Sequence, residues 1–288
     1  MNLLLAFLFI LFVFLVGLIP FMMLYLFSDF VGFLLLKIFG YRKQVVEDNL
    51  KKSFPDKSKD EISKLLKKFY SNLSDVLIEG IKSFTMTRKQ IVNRHKVINP
   101  EVLKGYFEKR ISIIAVPAHY NNWEWGSLSG GLQLQHKAIA LYKPLNNPLV
   151  DRFVRYSRSK FGTELTSIYK TTQKFEENKN QPVVYILAAD QSPTRSNRVE
   201  WVNFLGRETA FLYGPEKYAR KYNYPVLYVD IQRRRRGFYE LELKWIAENP
   251  RELPGGEIIR RYAGELEKAI LKKPENWLWS HRRWKLSR

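Results

Sequence analysis

The first 36 residues hold a single charged side chain, Asp29, and the stretch from Leu3 to Phe27 holds none. At ~1.5 Å rise per residue, a helix over that stretch outreaches the ~30 Å hydrocarbon core of a bilayer. Gly17 and Pro20 interrupt it, and a kink near Pro20 would let Phe21 to Leu36 bend along the membrane interface. A cleaved signal peptide needs a basic start, a short apolar core and a small-residue cleavage site. Met1-Asn2 carries no base, the run is too long, and no Ala-x-Ala follows, so residues 1–40 are expected to stay as a membrane anchor. Lys37, Arg42, Lys43, Lys51 and Lys52 come directly after the run, which by the positive-inside rule places residues 41–288 in the cytoplasm. No second apolar run of spanning length follows, so a single-pass anchor is expected.

Beyond the anchor the period becomes helical. Ser58-Lys-Asp-Glu61 has the capping-box form. After it Ile62, Leu65, Leu66, Phe69, Leu73, Val76, Leu77, Ile81 and Phe84 recur at three- and four-residue spacing, which predicts one amphipathic helix or two in line. Asn99-Pro100 reads as an N-cap and first-turn proline opening a helix to about Lys109. From Ile111 the pattern changes again. Ile111–Val116, Lys137–Tyr142, Val183–Ala188 and Val226–Ile231 are short apolar runs of the kind that form strands buried on both faces. Helical stretches lie near 121–131, 147–161, 170–179, 212–222 and 256–272. Phe238–Trp245 alternates and predicts a further strand, antiparallel at an edge. Strands alternating with helices predict one α/β domain over 41–288, with a mostly parallel central sheet flanked by helices and a membrane-anchor helix ahead of it.

Composition sharpens this picture at two points. The chain of 288 residues has 48 Lys+Arg against 28 Asp+Glu, a formal net charge of +20, with the near-neutral anchor leaving +21 on the other 252 residues. Such a balance points to an anionic partner: nucleic acid, an anionic membrane, or an acidic protein or substrate. The second point is the absence of cysteine, which removes disulfides, thiolate metal sites and Cys nucleophiles together.

In open α/β sheets, sites gather at the carboxyl ends of strands. The run ending at Val116 is followed by Pro-Ala-His119-Tyr-Asn-Asn-Trp-Glu124. Of the histidines at 95, 119, 136 and 281, only His119 has a carboxylate one helical turn on, at Glu124. A histidine there can take a proton from a substrate hydroxyl if a carboxylate fixes its other ring nitrogen. The bland reading is a surface or capping histidine. No Gly-x-Ser-x-Gly, Walker A, Gly-x-Gly-x-x-Gly or His-Glu-x-x-His motif is present. A base without a protein nucleophile implies direct attack by a hydroxyl or water on an activated carbonyl.

Ala118-His-Tyr-Asn-Asn-Trp-Glu-Trp125 resembles the His-x4-Asp/Glu block of membrane-bound glycerolipid acyltransferases, and in its Asn-Trp-Glu-Trp form the lipid A biosynthesis (late) acyltransferases. Further blocks agree in order. They are Tyr41-Arg42 to Phe54-Pro55, Lys143-Pro144 with Asn147-Pro148 and Arg158 to Gly162, Asp190-Gln-Ser-Pro193 with Phe204-Leu-Gly206 and Gly214-Pro215, and Pro274 to Lys285. Lys143 stands where Arg is common in the better-known members. The resemblance implies acyl transfer from a carrier-protein thioester (or acyl-CoA) to a hydroxyl of a lipid A precursor, with no acyl-enzyme and no cofactor or metal. It implies His119 as general base, oriented by Glu124. Lys143 and Arg158 match a block suited to phosphate or oxyanion. Asp190 and Gln191 match a conspicuous motif and complete the candidate substrate-binding set, although a loop-holding role suits them equally. The implied partners are an acyl carrier protein, an anionic lipid acceptor and the inner membrane, not nucleic acid.

Three alternatives remain open on the residues alone. The acceptor could instead be a lysophospholipid or a hydroxylated amino-acid lipid, or the protein could be a basic, membrane-anchored binding module. The run Arg233–Arg236 reads as a solvated hairpin turn or as a contact for lipid phosphates or a carrier protein. Trp277, Trp279 and Trp284 suit either a membrane interface or packing into the domain. His281, His95 and His136 read as structural, and Asn121 and Asn122 as caps of the following helix.

Overall fold

The computed structural model describes residues 2–194, 199–286 and 288. The apolar N-terminal run forms two helices, α1 (Asn2–Leu18) and α2 (Phe21–Phe33). Pro20 immediately precedes α2, where a missing N–H breaks no helical bond. α2 continues into a π-turn over Leu34–Ile38, so that Phe21–Ile38 is an 18-residue apolar stretch long enough to cross a membrane. This is the candidate anchor. α3 (Lys43–Ser53) and α4 (Lys59–Lys82) follow, and α4 begins with the capping box expected at Ser58 and Glu61.

α5 (Arg88–Arg94), β1 (His95–Val97), α6 (Lys104–Glu108) and β2 (Ile113–Val116) lead into the α/β region. It continues through α7 (Gly126–Gln133), β3 (Lys137–Tyr142), α8 (Pro148–Ser159), β4 (Glu164–Ser167), α9 (Thr171–Glu177) and β5 (Val183–Ile186). β6 (Val199–Phe204) and β7 (Arg207–Leu212) form a hairpin, followed by α10 (Gly214–Tyr222), β8 (Val226–Arg235), β9 (Phe238–Ala247) and α11 (Glu257–Lys272).

The central sheet has the order β1-β9-β8-β2-β5-β3-β4 and is parallel except where β8 meets β9. Its strands are apolar on both sides because both sides are covered. In β2, Ile114 and Val116 face a core with Phe69, Leu266 and Trp277, while Ile113 and Ala115 face a second core with Ile91, Trp125 and Leu128.

The structure departs from the sequence reading at several points. β9 is antiparallel, yet short β1 pairs outside it, so β9 is not an edge. The β6–β7 hairpin, an antiparallel pair apart from the main sheet, and the short strands β1 and β4 carry too little alternation to be foreseen. Asn99 does not cap a helix. Its side chain exchanges two hydrogen bonds with the backbone of Leu243, and Pro100–Leu103 is a 3₁₀ turn ahead of α6.

α2 lies on α4. Leu24, Ser28 and Gly32, spaced four apart on one helical face, are buried. A Cβ at Gly32 would stand 2.9 Å from the Ser74 hydroxyl, so the close approach requires glycine. The opposite face leaves Met22, Met23, Leu26, Phe30 and Phe33 exposed.

Half of the arginine run at the β8–β9 turn is neither solvated nor free for phosphates, because Arg233 and Arg236 clamp this helix pair. Arg233 donates to Asp75 at 2.6 Å and to Asn72 at 3.1 Å. Arg236 bridges Asp75 and Asp29, each at 2.6 Å, and also reaches the Tyr25 carbonyl. Ser28 donates to Asp75 at 2.7 Å. Of the four arginines only Arg234 and Arg235 are exposed, and Arg234 pairs with Glu240.

Asp75 is 1% exposed and joins α2, α4 and the β8–β9 turn. Asp75→Ala leaves two guanidinium groups without their buried counter-charge and is expected to cost about 3 kcal/mol of stability. Thermal unfolding in detergent measures this, and limited proteolysis should show faster cleavage between α1 and α2. An unchanged midpoint with unchanged cleavage would mean that the network does not hold the helices.

Candidate active site

β2 and β5 are parallel neighbours, in register at Ile113–Val184 and Ala115–Ile186. The segments leaving their carboxyl ends therefore emerge side by side. His119 lies three residues past β2, and Asp190 four residues past β5. The His119 ring nitrogen Nδ1 is 2.7 Å from Asp190 Oδ1, and the His119 backbone N–H donates to Asp190 Oδ2 at 2.9 Å. Trp277 Nε1 donates to the same Oδ2 at 3.0 Å. A carboxylate only accepts, so Nδ1 carries the proton and Nε2 presents its lone pair. The Gln191 amide donates to that Nε2 at 3.0 Å.

The Asp190 side chain is 2% exposed and that of His119 22%, so the carboxylate is dry while the imidazole is partly exposed. Burial alone would lower the proton affinity of His119. The charge of Asp190 and the hydrogen bond to it outweigh burial, Glu124 adds a smaller share, and the net direction is upward. For Asp190, burial works toward neutrality, but His119 and the three donors hold the carboxyl well below the usual range.

Glu124 does not take the place the spacing predicted for it. The carboxylate on Nδ1 belongs to Asp190, while Glu124 is held away from that nitrogen by its own ion pair. Its Oε2 accepts from Arg158 Nη2 at 2.5 Å, and its Oε1 from Trp123 Nε1 at 3.1 Å. The reason is the chain path. Asn121 adopts a left-handed conformation (φ 55°), and α7 begins only at Gly126, so Glu124 sits in the bend and not one turn along a helix.

Arg158 is in the last turn of α8, whose start is capped by Asn147 ahead of Pro148. Lys143 lies exposed on the loop from β3 to α8, and among the described residues no hydrogen bond or ion pair links it to His119, Glu124 or Arg158. The structure thus brings His119, Asp190 and Gln191 into direct contact, sets Glu124 and Arg158 beside them as a pair, and leaves Lys143 apart.

The loop is fixed from below and from the C-terminal block. Asn121 and Asn122 are both fully buried. Asn122 Oδ1 accepts the Trp125 N–H at 3.0 Å, close to the capping role expected, whereas Asn121 Nδ2 donates to the Ile231 carbonyl at 2.6 Å. The Asn121 N–H donates to the Asn276 carbonyl, and the Leu278 N–H to the His119 carbonyl. Trp277 and Trp279 are buried, and Trp284 packs against the core and donates to Thr209, so these tryptophans are domain packing. His281 accepts the Ser192 N–H at 2.9 Å, and burial pushes its pKa down to about 4, leaving it neutral. His95, buried between Ser129 and the Asn122 carbonyl, is likewise neutral, with its pKa pushed down to about 3 by burial. His136 reaches the Ile111 carbonyl.

The sequence reading missed the carboxylate role of Asp190 and the donor role of Trp277. Asp190 was within reach of the same rule that found His119, since both follow the carboxyl end of a buried strand. Trp277 carried no signal.

Comparison with known proteins agrees over most of the chain. The family model described as bacterial lipid A biosynthesis acyltransferase matches residues 2–286. The lipid A biosynthesis lauroyltransferase of Escherichia coli (strain K12) is 25% identical over 271 residues, which cover 92% of this chain and 86% of that protein.

If Asp190 sets the proton affinity of His119, Asp190→Asn removes the charge that opposes burial. The His119 ring should then titrate below its ordinary value of about 6.5, whereas in the native protein it titrates above it. Ring NMR across pH measures both, and coincident midpoints would exclude Asp190 as the cause.

Proposed function

The chain belongs to the bacterial lipid A biosynthesis acyltransferase family, and from that premise we propose that His119, oriented by Asp190, is the general base of its acyl transfer to a lipid A precursor. The observation that carries the reading is the 2.7 Å contact of Asp190 with Nδ1, which leaves Nε2 as the accepting nitrogen. Membership in an acyltransferase family sets aside the non-enzymatic binding module.

The reaction follows from that tautomer. A hydroxyl on an acyl chain of the acceptor replaces the Gln191 amide at Nε2. As its oxygen attacks the thioester carbonyl, Nε2 takes its proton. Asp190 stays ionised and stabilises the imidazolium, as the carboxylate of a catalytic triad does. Collapse of the tetrahedral intermediate breaks the C–S bond, and the imidazolium proton goes to the departing thiolate. The Gln191 amide, already at the site of transfer, is placed to donate to the oxyanion. No acyl-enzyme and no cofactor enter this scheme.

Glu124 is assigned the task of holding Arg158. The N–H groups of Arg158 not used by Glu124 are suited to a phosphate of the acceptor. Lys143, exposed on the neighbouring loop, is a second candidate for that phosphate. The donor is read as acyl carrier protein, an acidic partner for a body of charge +21, with acyl-CoA as the alternative. We place residues 1–40 against the inner membrane and residues 41–288 on its cytoplasmic side. The exposed apolar faces of α1 and α2, and the Lys and Arg residues after them, support this.

Purified protein, acyl carrier protein thioester and lipid A precursor in mixed micelles test the assignment. His119→Ala should abolish transfer while keeping the fold, and near-native turnover would overturn the mechanism. Asp190→Asn should cost about 10³–10⁴ in kcat. Glu124→Gln, which loosens a binding arginine, should cost far less and act mainly on the acceptor KM.

Because the base must be neutral, kcat/KM should rise with pH through an apparent pKa above about 6.5, the direction set by Asp190. A midpoint below that value would assign the limb to another group.

A further inference from the structure

The proposed chemistry leaves the fully buried carboxylate of Glu79 unused. Glu79, on α4, is 0% exposed and accepts from three different parts of the protein. Its Oε1 accepts the Tyr25 hydroxyl of α2 at 2.7 Å. Its Oε2 accepts the Asn122 amide at 2.6 Å and the Tyr239 hydroxyl of β9 at 2.7 Å. The backbone carbonyl of the same residue accepts Trp125 Nε1 at 2.9 Å. The next residue, Gly80, lies under Glu124, where a Cβ would stand 3.5 Å from Glu124 Cγ. One turn of α4 therefore receives the membrane-side helix on one flank and the His119–Glu124 loop on the other.

We infer that Glu79 is a positioning residue for acyl transfer, tying α2 through Tyr25 to Asn122 so that the seating of the N-terminal helix sets the geometry of the loop that carries His119 and Glu124. The inference rests on the proposed role of His119.

Three features support it. First, a buried carboxylate is costly unless it is hydrogen-bonded, and here donors from α2, β9 and the His119 loop meet on one side chain. Second, Asn122 is the only described donor on the loop to the Glu79 carboxylate, and its own Oδ1 fixes the Trp125 N–H, so its amide plane is held at both ends. Loss of Glu79 frees one end. Third, α2 has a second attachment through Asp75 and Arg236, so Tyr25 is presented to Glu79 by a helix already held in place. Burial pushes the Glu79 carboxyl up to about 7. Asp75 adds to this, and the Tyr239 and Tyr25 hydrogen bonds and Arg233 oppose it.

Tyr25→Phe in the full-length protein is the decisive variant, since it deletes one oxygen and keeps the ring against Arg236. Misplacement of a catalytic group by a fraction of an ångström is expected to lower kcat about tenfold, with donor and acceptor KM within twofold of native. Glu79→Gln keeps an oxygen for Asn122 and Tyr239 and should retain more turnover than Glu79→Leu, which leaves all three donors unpartnered. Tyr25→Phe combined with Glu124→Gln gives a double-mutant cycle on kcat/KM, where the Glu124→Gln loss is read. Rate losses that fail to multiply show that Tyr25 acts through the loop, although it touches neither Glu124 nor His119.

A native kcat for Tyr25→Phe, or losses that multiply independently, would reduce Glu79 to a stability element and overturn the inference. Should the native protein itself transfer no acyl group, the proposed function fails first. An active native enzyme with indifferent Tyr25 and Glu79 variants fails only this inference.

Discussion

A carboxylate sealed into a protein has to have its lone pairs filled, and Asp190 meets that demand with donors from two distant parts of the chain. The His119 backbone and ring come from the segment after β2, and the Trp277 indole comes from the C-terminal block. Satisfying one buried group in this way fixes three things together: the tautomer of His119, the position of the loop that bears it, and the docking of the chain's last segment. The parallel pairing of β2 with β5 makes the meeting possible, because neighbouring strands running the same way deliver their following residues to the same end of the sheet.

The same logic recurs twice on the side of the sheet that faces the N-terminal helices. Asp75 and Glu79 are one turn apart on α4, and both are buried. Asp75 gathers Ser28 and two arginines of the β8–β9 turn, and Glu79 gathers two tyrosines and Asn122. α2 is thus less a free membrane stalk than a helix keyed into the domain by one face, with its other face apolar and exposed. Two of the four arginines in the basic run that looked like a surface for anions are spent on the internal carboxylate of Asp75. The charge of +20 is therefore not evenly available, since Arg233 and Arg236 are neutralised from within while Lys143 remains open.

Much of the architecture was readable because burial on both faces leaves a strong mark. Lys137–Tyr142 is a strand with the bounds expected from its apolar run, and the capping box at Ser58 and Glu61 forms as written. Elements whose existence depends on a partner left little mark. β1 has three residues and is a strand only because β9 is there to pair with. Asn99-Pro100 reads as a helix start by local rules, yet the Asn99 side chain matches the Leu243 backbone better than any helical N–H.

Sequence alone determined the α/β class and the apolar N-terminal segment, because each rests on composition or periodicity; the family was legible as a resemblance of ordered motif blocks, and His119 stood out by its place after a buried strand. It did not determine which carboxylate serves His119. Glu124 is five positions away along the chain and Asp190 is 71, but the loop bends at Asn121 and turns Glu124 toward Arg158, while strand order puts Asp190 beneath the ring. Proximity along the chain is a poor guide wherever a left-handed turn and a parallel crossover intervene. The pairing of charges in the arginine run and the convergence of Tyr25, Tyr239 and Asn122 on Glu79 were decided the same way. Only the folded chain brings those groups into the dry interior, where an unpaired charge is costly enough to force the match.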